Sequence, residues 1–83
     1  MPRLPEEHMA DIHIIRQDYA QALANFEAVP IPSAKAALEE ARDRRDRAIR
    51  MVHREDGAGI KHLAAIFRCP KWIVRKSIQE GEQ

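Results

Sequence analysis

IKHLAAIFRCPKWIVRKSIQ, residues 60–79, reads as two short helices joined by a tight corner. Ile60, Leu63, Ala64 and Phe67, then Val74 and Ile78, recur at three- and four-residue steps, which gives each segment one apolar face. Arg68-Cys69-Pro70 between them is long enough only for a turn. Pro70 has a fixed φ, lacks an N–H and disfavours the helical region for Cys69, so the first short helix is expected to end near Arg68. The same proline is suited to opening the second. The stretch carries five Lys or Arg side chains and no acid.

This pattern resembles the helix-turn-helix of bacterial and phage DNA-binding proteins, of the tri-helical type found in resolvases and in region 4 of sigma factors. The resemblance rests on Leu63-Ala64, where alanine lets two helices approach closely, on Phe67 and Cys69 flanking the corner, and on Val74 with its basic neighbours Arg75-Lys76. It spans about twenty residues, and roughly half the chain once the preceding helix is included. The family usually has Gly where this chain has Arg68, Ser or Thr where it has Pro70, and an apolar residue at the place of Ser77. A left-handed Arg68 would cost about 1 kcal/mol through Cβ crowding.

Working outward, Asp56-Gly57-Ala58-Gly59 ends a preceding long helix, with Gly57 available for a left-handed C-cap. That helix is expected from about Ala34 to Glu55, N-capped by Ser33, with Ala37, Leu38, Ala41, Ala48, Ile49 and Val52 on one face. Glu40 with Arg44, Asp43 with Arg47, and Asp46 with Arg50 stand four apart and suit ion pairs on a solvated face, each contributing about 0.3 kcal/mol. Phosphate binding by some arginines of residues 42–50 is the alternative. Arg45 interrupts the stripe, so it is expected either to snorkel at its edge or to pair with an acid of the first helix. The two prolines of Val29-Pro30-Ile31-Pro32 separate that helix from an earlier one opened by Pro5. Met9, Ile12, Ile15, Tyr19, Ala22, Leu23 and Phe26 follow its helical spacing over about 24 residues, while Ile14 lies off the stripe.

The predicted fold is therefore all-α: an N-terminal antiparallel helical hairpin followed by a C-terminal helix-turn-helix that shares the second long helix. Residues 1–32 form the N-terminal helix and Pro-rich turn, a packing or dimerisation element, and residues 33–83 a three-helix unit within one compact domain. Ile12, Ile14, Ile15, Tyr19, Leu23 and Phe26 are the candidates for packing or for a subunit interface.

A chain of 83 residues buries only about 60–65% of its unfolded surface, so its core is thin and association would help it. With 45% hydrophobic and 33% charged residues, it has neither a disordered nor a membrane-like composition. No apolar run approaches the roughly 18 residues of a membrane span and no leader pattern follows Met1, so a cytoplasmic protein is expected. Net charge is only +1, but it runs from −3 over residues 1–32 through +1 over 33–56 to +3 over 57–83. Such asymmetry suits a C-terminal end that meets an anion.

The one cysteine, Cys69, excludes an internal disulfide. It reads as a small buried apolar residue, with a redox-active thiol beside Arg68 and Lys71 as the alternative. His8 and His13 stand five apart and project in different directions, and none of the four histidines has a partner at metal-ligand spacing. With no catalytic pairing and no Gly-rich phosphate loop, neither enzymatic activity nor a cofactor is expected.

The resemblance implies that the helix from Lys71 to about Gln79 lies in the major groove of duplex DNA. With Val74 and Ile78 inward, Lys71, Trp72, Arg75, Lys76 and Gln79 face outward. Arg75 suits guanine O6 and N7, and Gln79 suits adenine N6 and N7. Lys61, Arg68, Lys71 and Lys76 suit phosphates, with a weaker contact from His62. Trp72 has two readings: contact with a thymine methyl or sugar, or packing on the N-terminal hairpin or a second subunit. The implied function is a sequence-specific transcriptional regulator of phage or bacterial type, acting on double-stranded DNA as a homodimer. The alternative is a helical module that binds a protein, such as a host transcription component.

Overall fold

A computed structural model describes residues 4–81; residues 1–3, on which the reading of the leader partly rests, and residues 82–83 lie outside it. All regular structure among the described residues is helical: α1 (Glu6–Ala28), α2 (Pro32–Asp56), α3 (Ile60–Phe67) and α4 (Lys71–Gly81). No helix among them is long and apolar enough to cross a membrane.

Pro5, at φ −57° and ψ 145°, precedes the first turn of α1, where Glu6 and Glu7 face the positive end of the helix dipole. The expected start of α2 needs correction. It begins at Pro32, two residues before Ala34, with Ile31 as N-cap and no side-chain cap from Ser33. Pro32 has its φ preset for the first helical turn and no N–H to leave unsatisfied, while Ile31 is extended at ψ 161° and its carbonyl takes the Lys35 N–H. At the other end α2 runs to Asp56, and Gly57 caps it at φ 71°, as its position predicts.

α1 and α2 pack along their length, the start of α1 beside the end of α2. His8 meets Asp56 at 2.5 Å, Asp18 meets Arg44 at 3.1 Å, and the Arg45 guanidinium lies 4.7 Å from the Tyr19 ring centre. The core gathers at one end of this pair. Ala48, Ile49 and Val52 of α2, Leu63 and Phe67 of α3 and Val74 of α4 are buried there, joined by Leu4, Ile12 and Ala58. Part of α1 thus completes the core beneath α2, α3 and α4.

Several charged side chains depart from expectation, because α1 and α4 both lie against α2 and offer other partners. None of the three four-apart ion pairs expected along α2 forms; Arg44 turns to Asp18, Arg45 to Asp46 at 3.1 Å, and Arg50 donates to the Ser77 carbonyl at 3.4 Å. Arg45 neither snorkels nor pairs with an acid of α1. It is buried to 6% exposure, paired with its own neighbour and stacked on Tyr19, which recovers charge stabilisation in a site that would otherwise penalise it. Ala37 is exposed, because it lies roughly a quarter turn off the line through Leu38, Ala41 and Arg45.

Candidate nucleic-acid interface

The corner between α3 and α4 is built by the residues that the sequence marks. Arg68 adopts φ 53° and ψ 49°, the left-handed conformation, and is the non-glycine residue with positive φ among those described. The Cys69 N–H reaches back five residues to the Ala64 carbonyl at 3.1 Å, closing the last turn of α3 in a Schellman-type cap. The Pro70 carbonyl then accepts N–H groups of Ile73 and Val74 at 3.1 and 3.4 Å, so Pro70 occupies the capping position of α4. A second tie comes from α1: the Arg16 Nη1 donates to the Ile66 carbonyl at 2.9 Å, which places a cation at the negative end of α3.

α4 presents two distinct faces. Val74 and Ser77 are fully buried, with Ile73 and Ile78 half-buried beside them. Ser77 satisfies its buried hydroxyl by donating to the Ile73 carbonyl at 2.8 Å. At about 100° per residue, Trp72 and Gln79 lie opposite this face, flanked by Arg75 and Lys76 and with Lys71 at the N-terminal end. All five are exposed. Trp72 does not pack on α1 or α2; it is 61% exposed, because the buried face of α4 is already filled by Val74 and its neighbours. Lys76 approaches Glu80 at 4.0 Å on open surface, a pair that solvent screens heavily.

The remaining predicted site residues separate from this face. Lys61 is exposed on α3. His62 is half-buried, and its Nδ1 is shielded without a hydrogen-bond partner among the described residues, a poor posture for the phosphate contact expected of it. Arg68 lines a cavity shared with α1 instead of extending the α4 face. Among the packing or interface candidates, Ile12 is 2% exposed in the core and so cannot form a subunit surface. Ile15, Tyr19, Leu23 and Phe26 are half-buried, and Ile14 is 54% exposed. Cys69 is half-buried and burial raises its thiol pKa, which disfavours the thiolate that redox chemistry at that position would need. No group of three potential metal ligands occurs among the described residues.

Three contacts had little or no local sequence signal. His53 Nδ1 lies 2.9 Å from the Ala58 carbonyl, so this nitrogen carries the proton and braces the connection to α3. His8 meets Asp56 across the α1–α2 pair, and that hydrogen bond raises the His8 pKa above 6.5. Arg45 and Tyr19, like His8 and Asp56, stand at equal distances from Pro32, a register that becomes predictive once the turn is located. The chain matches no family model, and no curated protein or solved structure is significantly similar to it.

Proposed function

We propose that the protein is a sequence-specific, double-stranded-DNA-binding transcriptional regulator. In this reading α3 and α4 form a helix-turn-helix embedded with α2 in a tri-helical unit, α1 and α2 form an antiparallel hairpin, and α4 enters the major groove. The observation that carries the proposal is the exposed face of α4: Lys71, Trp72, Arg75, Lys76 and Gln79 stand together opposite buried Val74 and Ser77. Such a face offers bidentate donors for base edges, cations for phosphates and a ring for a thymine methyl. A homodimer paired through the outer side of the hairpin, where Ile14 is exposed, would read half-sites about 34 Å apart.

Selection from random duplex DNA, followed by anisotropy titration in graded salt, tests this. The expected result is an enriched palindrome, with the Arg75→Ala/Lys76→Ala variant binding more weakly and with a salt slope lower by about 0.9 for each phosphate no longer neutralised. No enrichment and an unchanged slope would refute it. One observation favours a second reading: Trp72, 61% exposed beside Arg75, has the make-up of a protein-binding hot spot. A complex with a host transcription protein that Trp72→Ala abolishes, with no retention on DNA at low salt, would decide for that alternative.

A further inference from the structure

A cavity of about 310 Å³ opens where α1, α2 and the α3–α4 corner meet, on the Arg68 side of the corner. Its apolar part is formed by Tyr19, Ala20, Phe67 and Cys69. Burial holds the Cys69 thiol in its protonated form, so it adds no negative charge. Its cationic part is formed by Arg16, Arg45 and Arg68, and its lining contains no Asp or Glu. By contrast, a groove of about 540 Å³ along α2 is lined by five carboxylates and two arginines.

The three arginines differ in how far they are neutralised. Arg45 is paired with Asp46 and stacked on Tyr19. Arg16 donates to two neutral acceptors, the Ile66 carbonyl and His13 Nδ1, at 2.9 and 3.1 Å. Since a guanidinium can only donate, that His13 nitrogen is unprotonated. Neither Arg16 nor Arg68 has a carboxylate partner among the described residues. Arg68 also holds a left-handed backbone that glycine would adopt without crowding, so its side chain is kept at a backbone cost.

We infer that this cavity is a binding site for a small organic carboxylate with an apolar, ring-sized body, its carboxylate held by Arg16 and Arg68 and its body against Tyr19, Phe67 and Cys69. The volume lies at the lower end of the range for small-ligand sites, and the guanidinium of Arg68 together with the N–H groups that Arg16 does not commit to Ile66 and His13 match one carboxylate. Because Arg68 and Cys69 also form the corner that sets α4, the ligand would sit where it bears directly on the orientation of that helix. The site does not depend on DNA binding and is tested without it.

The probe is phenylacetate, titrated into ¹⁵N-labelled protein and followed by amide shifts. Acetate, benzyl alcohol and inorganic phosphate are titrated in parallel. Phenylacetate is expected to give saturable shifts centred on Arg16–Ala20 and Phe67–Cys69, with acetate and benzyl alcohol each weaker. Arg68→Gly, which removes the guanidinium while easing the backbone, is expected to weaken phenylacetate about tenfold or more. Ala20→Leu, which fills the cavity from an exposed helical position, is expected to abolish it. Absence of saturation, binding of inorganic phosphate as strong as that of phenylacetate, or unchanged affinity in a folded Arg68→Gly protein would each overturn the assignment.

Discussion

Replacing Arg68 by glycine should make the protein more stable. At φ 53° and ψ 49° an L-residue crowds its Cβ against the following carbonyl at a cost of about 1–2 kcal/mol, which glycine escapes. Against that, glycine adds freedom to the unfolded chain worth about 0.4–1 kcal/mol. The Arg68 side chain is exposed and forms no ion pair among the described residues, so little else changes. The bond from the Cys69 N–H to the Ala64 carbonyl is a backbone bond and survives. The balance is a gain of about 0.5–1 kcal/mol, or about 2–8 °C in Tm for a chain of this size. Gly57→Ala runs the same two effects in reverse: φ is 71°, and an added Cβ meets nothing within 4 Å, which isolates the backbone contribution. A loss of about 0.5–1 kcal/mol is expected there. Urea denaturation followed by far-UV circular dichroism measures both, given a two-state transition with unchanged m-values. A destabilised Arg68→Gly protein, or a neutral Gly57→Ala, would refute the reasoning.

The His8–Asp56 pair predicts a pH dependence. Its hydrogen bond raises the folded-state pKa of His8 above 6.5, so its contribution is complete below pH 6.5 and is lost as pH rises through the folded value. Wild-type stability should therefore fall from about pH 6.5 upward, and His8→Gln should flatten that part of the profile in denaturation midpoints measured from about pH 5.5 to 8.5. Ile49, with no exposed surface at the centre of the core, should cost about 2–5 kcal/mol when cut to alanine, read from the same urea curves. Ile14→Ala, at an exposed position on α1, should stay within about 0.5 kcal/mol in stability while weakening the proposed homodimer in sedimentation runs.

Much of the helical layout is local and therefore legible. Pro5, Pro32, Gly57 and Pro70 act through their own φ and N–H, and they stand at or beside four of the helix ends. The proline marks the corner, but the left-handed Arg68 is only a conditional expectation of the sequence and is read from the observed cap, in which the Cys69 N–H bonds the Ala64 carbonyl. Most of the outward set on α4 follows from periodicity, since Val74 and Ile78 turned inward leave the other side for Lys71, Arg75, Lys76 and Gln79, whereas the buried Ser77 and the exposed Trp72 are read from the structure. The expected start of α2 falls two residues late because Ser33 is a good cap in isolation, whereas Pro32 is a better first residue.

What the amino-acid sequence determined by itself is the set of helices and the sidedness of α4, because both depend on neighbours within a turn or two. What only the tertiary structure decided is the partner of each charged group and the surroundings of the corner. Asp18 draws Arg44 away from Glu40, Tyr19 and Asp46 make a buried Arg45 tolerable, and Arg16 reaches fifty residues along the chain to the Ile66 carbonyl. Those choices depend on where α1 lies relative to α2 and α3. Periodicity locates the faces of a helix but not which distant residue comes to rest against them, so the cavity beside Arg68 appears only once three separate segments have come together.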